Sequence, residues 1–389
     1  MVLSDRYRSL FPITETRAYL FAGGLAPAAT PVRAALDGWT DRWMHDPAYH
    51  RSRYFEEWEI LKDRLAAVLG ADADEIAIVD NTSRGSNLAV QMIAPPPGAN
   101  IVTDPTSHPS AVWPWLLPGR RPVEVRSVPD GPPSTWMKGI ESLVDQDTIA
   151  VVVSHVDPRT GFCHDLRELA GLTRGCGGYL IVDAAQSAGA VPIDAEAAGV
   201  DFMSGTLMKW LLGPPGLGYL YARREHIESL APPHVGYVGA DRDGGMDEPG
   251  DLAYRPGAVR HEIGLADLPG IAAARRGLDI ILEAGIPDIE QHVLELTGQM
   301  IDGLTERGIH VLTPPGRAER GGVVAFHFDG AVQLCRHLRR LGVDVWGYPE
   351  DDRVRADPHL YNNPGDVDRL LQGIDAYRRA GASARVPRR

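Results

Sequence analysis

One lysine in the stretch FMSGTLMKWLLGPPGLGYLY, residues 202–221, stands where a charged side chain is least at home. Lys209 is flanked by Leu207, Met208, Trp210, Leu211 and Leu212, all residues of interior character. Such surroundings disfavour the ammonium form and lower a lysine's pKa. The amine then serves as a nucleophile, or loses its charge by covalent attachment as in a Schiff base. The plainer alternative is a lysine that snorkels from a strand end. The rest of the chain has to decide between the two.

Other polar residues follow strongly apolar runs. Asp183 ends YLIVD, with Gln186 three residues on; Ser154 and His155 end TIAVVVSH. A carboxylate at the end of so apolar a strand is costly unless it faces a cation or a strong donor. After EIAIVD comes NTSRGSNLAV, where Thr82, Ser83 and Gly85 open a helix. Backbone N–H groups and small hydroxyls in that position hold a phosphate. Plain N-capping by Thr82 or Ser83 is the alternative. An acid, polar side chains, a phosphate-holding turn and a desolvated lysine together make a constellation suited to pyridoxal phosphate.

These residues need a scaffold that brings strand ends together. Short β-like runs alternate with helical patterns at 75–80, 100–104, 148–156 and 179–185, which predicts a parallel α/β sheet. In such a sheet ligands bind outside the carboxyl ends of the strands, where these residues fall. DFMSGT and GYLYAR are joined by a Gly-Pro link too short for a helical crossover, so they are expected to pair antiparallel, with Lys209 near their connection. After about residue 260 the pattern changes to long helices, the strand-like GGVVAFHFDG and a final helix from about 364, which reads as a smaller α+β domain. The expected division is an N-terminal segment 1–20, a large domain 21–260 and a small domain 261–389. The loop 236–264 is long enough to be a lid or an interface loop.

With these motifs in hand, the chain resembles the class V aminotransferase-like group of fold-type I pyridoxal phosphate enzymes, which includes cysteine desulfurases, kynureninases and isopenicillin N epimerase-like proteins. The resemblance runs from YLFAGGLAPAATPV through VDAAQSAGAVPIDAEAAGVDF and KWLLGPPGLGYLY to VRADPHLYN. It implies a mostly parallel seven-stranded sheet, pyridoxal 5'-phosphate as cofactor and a homodimer whose sites draw on both subunits. It also implies roles. Lys209 carries the Schiff base and shuttles protons, and Asp183 pairs with the pyridine nitrogen. Gln186 bonds the ring hydroxyl, while Thr82, Ser83 and Thr206 hold the phosphate. His108, in TSHPSAVWPW, lies over the ring, with His155 close by. Arg355 grips the substrate carboxylate, for which its fork is well shaped. Taken alone, His108 beside Pro109 could cap a turn and Arg355 could be a structural ion-pair residue.

Departures from the family pattern bear on the reaction. Met208 stands where relatives often place a His or Tyr that reaches the phosphate, and Leu265 stands where many have a Thr. Desulfurases carry a loop cysteine shortly before the arginine; DVWGYPEDDRVR has none, and Cys335 falls in a helical pattern, VQLCRHLRR. A persulfide route is therefore not expected. SHVDPRTGFCHDL and TPPGRAERGGVVAFHF are closer to kynureninase, whereas KWLLGPPGLGYLY is nearer the desulfurases and epimerases. The leading expectation is β-elimination from an α-amino acid, as in a carbon–sulfur lyase acting on a cysteine conjugate. An aminotransferase, an epimerase, a decarboxylating oxidative deaminase and a kynureninase-like hydrolase use the same residues; a non-catalytic ligand-binding relative is the remaining alternative.

Composition narrows the partners. The 389 residues carry 39 basic and 52 acidic side chains, a formal charge of -13, which argues against a general nucleic-acid binder and gives no polybasic membrane patch. Three cysteines without a CxxC spacing support neither a disulfide framework nor a metal knuckle, so no metal site is expected. With no signal-like start and no apolar run of membrane length, the expectation is a cytoplasmic protein acting on a small amino acid.

Overall fold

The computed structural model describes residues 3–116, 123–242 and 252–384. Its centre is a seven-stranded sheet, in spatial order Ile76–Val79, Gly218–Ala222, Phe202–Thr206, Tyr179–Asp183, Thr148–Ser154, Asn100–Thr103 and Glu124–Ser127. Gly218–Ala222 runs antiparallel to both its neighbours, and the remaining strands run parallel to one another. The expected α/β sheet is therefore present, and the hairpin-like pair around Lys209 is its one reversed element. Alternation alone located four of these strands. Glu124–Ser127 escaped it because this edge strand is exposed to half-buried along its length and lacks an apolar run.

The central strands are buried on both faces, as their unbroken apolar sequences require. Val151, Val153, Leu180 and Val182 face one apolar cluster, while Ala150, Val152, Ile181 and Phe202 face another. The first cluster is completed by Leu61 and Leu65 of the helix Pro47–Leu69 and by Ile271, Ala274 and Leu278 of the helix Leu268–Ala284. Helices on both sides of the sheet leave its carboxyl edge as the place where polar groups collect.

A three-stranded antiparallel sheet follows, Val324–His327, Arg353–Ala356 and Trp346–Tyr348 in that spatial order. Its apolar face contributes Phe326, Val354 and Ala356 to a separate cluster with Leu334 and Leu338 of the helix Ala331–Arg340 and Leu370 and Ile374 of the helix Pro364–Ala384. Near the other end of the chain, Ala18–Tyr19 pairs in parallel with Val343–Asp344, and Phe21 bridges Asp357. The N-terminal segment is thereby drawn against the end of the central strand of the small sheet. That contact sets Phe21, Gly23 and Gly24 beside the strand carrying Arg355.

The loop expected to act as a lid or interface contributes a two-stranded ribbon, Ala240–Arg242 against Leu252–Tyr254. Residues 243–251 of that loop lie outside the described residues. Among the described residues, no helix is long and apolar enough to cross a membrane.

Candidate active site

Lys209 sits in the turn that follows Phe202–Thr206. The turn is closed by hydrogen bonds from Leu207 N to Leu217 O (3.0 Å), from Leu212 N to Lys209 O (3.0 Å) and from Gly213 N to Leu207 O (2.8 Å). Leu207, Trp210, Leu211 and Leu212 are all buried, each contributing roughly 1.5–3 kcal/mol of burial, so the backbone is pinned by its apolar side chains. Gly189, in a left-handed conformation (φ +91°), permits the approach: a Cβ there would stand 2.6 Å from the Trp210 carbonyl oxygen. The Lys209 amine makes no hydrogen bond or ion pair with the described residues. Burial pulls its pKa down to about 8 against the attraction of Asp183, with Arg355 adding to the fall.

Asp183 ends the neighbouring strand and is almost wholly buried. Its Oδ1 accepts from Ala185 N (2.8 Å), and its Oδ2 lies 4.0 Å from His108 Nδ1. His108 is kept neutral by burial, which outweighs the pull of Asp183; Lys209 and Arg355 push in the same direction as burial. The same Nδ1 accepts from Ser110 N (3.2 Å), so His108 is also the N-cap of the short helix Pro109–Val112. The turn-capping alternative and a place beside the carboxylate thus hold at once.

A cavity of about 320 Å3 opens here, lined by Lys209, Gln186, His108, Gly23, Arg355 and Arg353 among others. A second, of about 390 Å3, is lined by Ser83, Asn87, Ser110 and Trp113, and His108 and Pro109 border both. The second lies at the N-terminus of the helix Thr82–Ile93, where backbone N–H groups and the helix dipole favour an anion. Asn81, whose side chain accepts from Arg84 N (3.0 Å), is the N-cap. Capping by Thr82 or Ser83 is thereby corrected: Asn is an equally good cap and stands one position earlier. Ser83 Oγ instead bonds Ser110 Oγ (2.9 Å).

Gln186 is the hinge of the other wall. Its Oε1 accepts from Trp210 Nε1 (3.0 Å) and from Arg355 Nη2 (2.8 Å), while its Nε2 donates to Gly23 O (3.0 Å). Arg355 also donates through Nε to Asp357 (2.8 Å), and both are buried. A Cβ at residue 23 would overlap Arg355 and the Gln186 oxygen, which explains the glycine. His359 donates from Nε2 to Trp210 O (3.0 Å) and accepts from Leu360 N at Nδ1 (2.7 Å). Burial holds it neutral, at about 4.

Two candidates are oriented away from this centre. His155 does not line the cavity; its Nε2 meets Cys163 Sγ at 3.5 Å, and burial lowers its pKa to about 3. Thr206 donates to Leu217 O (3.2 Å) inside the turn. Met208 offers its carbonyl to Ala26 N (2.9 Å), and Leu265 is partly exposed. Burial raises the thiols of Cys163 and Cys335 to about 12, and neither lines the cavity. Sequence reasoning missed Asp357, Gly23 and Arg353. The RVR triplet 353–355 carries a legible signal, since alternate strand residues share a face.

Residues 19–338 match the model of the aminotransferase class-V family. The chain is 27% identical to an uncharacterized aminotransferase, YcbU, of Bacillus subtilis (strain 168), over 96% of this chain and 98% of that one. It is 30% identical to a kynureninase of Pseudomonas fluorescens, over 86% and 83% of the two chains. The fold superposes on the apo structure of a cysteine desulfurase from Thermococcus onnurineus NA1 with a TM-score of 0.87, at 24% identity and with 97% and 98% of the two chains covered. The chain belongs to the aminotransferase class-V family of fold-type I enzymes, whose members bind pyridoxal phosphate.

Proposed function

We propose that this chain binds pyridoxal 5'-phosphate and acts on an α-amino acid, expelling a leaving group from the β-carbon as a carbon–sulfur lyase. The observation that carries the reading is the unpaired, half-buried amine of Lys209 beside Asp183, in a cavity that also holds the Arg355 fork. The donor set fits the cofactor. Lys209 would carry it, Asp183 would keep its ring nitrogen protonated, and Gln186 would bond its ring hydroxyl. His108, a flat neutral ring bordering both cavities, would cover its face. Thr82 and Ser83 would take the phosphate at the helix N-terminus, whereas the Thr206 hydroxyl already donates to Leu217 O; His155 would support this wall from behind through its backbone N–H, which donates to Asp183 O (2.9 Å). When bound, the cofactor supplies a sink for negative charge at the substrate's α-carbon.

The protein's own groups do the remaining work. Arg355, aimed by Asp357 and Gln186, binds the substrate carboxylate and orients the α-carbon. Lys209 Nζ, neutral in an appreciable fraction near pH 8, takes the α-proton. Expulsion of a β-substituent then needs no protein nucleophile, which agrees with two thiols held protonated away from the cavity. The likeness to kynureninase favours a second reading, hydrolysis of an aromatic keto amino acid, and the products separate the two.

A homodimer belongs to the same proposal. Trp113, in the wall of the second cavity, is 67% exposed, and Trp43, Met44, Leu252 and Tyr254 are exposed as well. A second copy would cover Trp113 and complete that wall. Sedimentation is expected to give the mass of two chains; a monomer alone at micromolar concentration with full activity contradicts it.

Asp183→Asn is expected to retain the cofactor while raising the barrier to α-proton removal by about 3 kcal/mol or more, roughly a hundredfold in rate. Arg355→Ala is expected to act on affinity instead, weakening amino-acid binding by about 2–4 kcal/mol with the cofactor spectrum unchanged. Steady-state kinetics and spectra on both variants check the pair, and interchanged effects would reverse the two roles.

Given an S-substituted cysteine, the enzyme is expected to release pyruvate, thiol and ammonia, and Cys335→Ala is expected to leave that turnover intact. Release of anthranilate from kynurenine without pyruvate from the conjugate favours the hydrolase. Loss of all turnover in Cys335→Ala brings back a persulfide route.

A further inference from the structure

Arg353 occupies the strand Arg353–Ala356 two residues before Arg355. Side chains two apart on a strand share a face and lie about 7 Å from each other. Val354 and Ala356 point into the apolar cluster of the small sheet, so Arg353 and Arg355 both point the other way, and both line the 320 Å3 cavity.

The two guanidinium groups are satisfied very differently. Arg355 is held by Asp357, Gln186 and the Pro158 carbonyl (3.4 Å). Arg353 is only 5% exposed, yet its Nε and Nη1 have no hydrogen-bond partner. Its nearest carboxylate, Asp351, lies 3.3 Å away without hydrogen-bond geometry and is already committed to Arg159 at 2.7 Å. One face of the Arg353 guanidinium rests on the Tyr348 ring, 4.1 Å from its centroid, which fixes the plane of the group while its Nε stays 3.3 Å from Asp351. Arg159, Pro158 and Tyr348 line the same cavity.

Buried guanidinium N–H groups left unpaired are costly, and the cost is relieved by an anion that fits the fork. Burial disfavours the charge on Arg353 against the attraction of Asp351, and the neighbouring Arg159 and Arg355 add to the burial effect. Arg353 and Arg355 leave the same strand face about 7 Å apart along the backbone, so one ligand with two carboxylates can meet both guanidinium groups.

We infer that the cavity holds a second anion subsite, built from Arg353 with Arg159 at its rim, and that the substrate is an α-amino acid bearing a carboxylate or similar acidic group on its side chain. This rests on the reading of Arg355 as the site of the α-carboxylate. It adds a substrate class, acidic amino acids or cysteine conjugates with an acidic substituent, and assigns Arg353 as the residue that selects it.

The test uses the holoenzyme and pairs of ligands that differ in charge but hardly in shape. Binding of L-glutamate and L-glutamine is followed by the change in cofactor absorbance. Release of pyruvate is measured from S-carboxymethyl-L-cysteine and S-carbamoylmethyl-L-cysteine. Glutamate is expected to bind at least about tenfold more tightly than glutamine. Arg353→Met is expected to abolish that preference while leaving glutamine affinity unchanged, and Arg353→Lys to restore part of it. Equal binding of the two ligands, failure of both to bind, or equal loss for both in Arg353→Met overturns the inference. A preference for glutamate that depends on Arg353, with no pyruvate from either conjugate, leaves the subsite standing and removes the lyase reading. Equal cleavage of the two conjugates together with equal binding of glutamate and glutamine removes the subsite and leaves the lyase.

Discussion

The dehydration of one amine is the constraint around which this structure is organised. A lysine ammonium taken out of water and left without a partner costs several kcal/mol, so the group sheds its charge or binds something that replaces the lost solvation. At Lys209, half-buried among apolar side chains on the cavity wall, the ammonium form is weakened, and an occupant of the cavity can replace the lost solvation. Trp210, Leu211 and Leu212 are buried by the same turn that carries the lysine, and exposing Lys209 to bulk water would unpack them. Asp183, ending the adjacent strand, recovers part of the cost through its charge without a direct bond to the amine.

The turn is also tied to the place where an amino acid's carboxylate would bind. Trp210, next to the lysine, donates to Gln186, which accepts from Arg355, and the Trp210 carbonyl receives His359 from the same C-terminal segment. Arg355 lies on the small sheet and Lys209 in the turn after a strand of the large one, so this chain of bonds joins the two sheets across the cavity. Because Gln186 Oε1 already serves two donors, moving Arg355 disturbs Trp210 directly. The arrangement gives the α-carbon a fixed position relative to the amine, which is the orientation effect that proton removal needs.

Much of this was legible in the sequence, for physical reasons that differ by residue. Lys209 and Asp183 stood out because each interrupts an apolar context where a charge is expensive. The reversed strand Gly218–Ala222 was legible because its Gly-Pro link cannot span a helical crossover. Glu124–Ser127 was not, since an exposed edge strand has no apolar run. Gly23 and Asp357 were hidden for another reason: both act through contacts with Arg355 and Gln186 that depend on the N-terminal segment folding back onto the small sheet. Asn81 was passed over in favour of the two hydroxyls after it, although all three residue types cap helices well. Arg353 was missed although it alternates with Arg355 along the strand, and its unpaired donors appear only in three dimensions.

The central claim is that the Lys209 amine, whose proton burial makes easier to lose, is what the cofactor attaches to. Borohydride reduction of the protein in the presence of pyridoxal phosphate, followed by peptide mapping, tests it directly when repeated across pH. The account predicts an adduct on Lys209, absent in Lys209→Ala, with a capture rate that rises as the amine loses its proton, is half-maximal near pH 8 and levels off about a unit above that. An adduct on Lys62 or Lys138, or a capture rate that goes on climbing to the pH at which an ordinary surface lysine deprotonates, would contradict it.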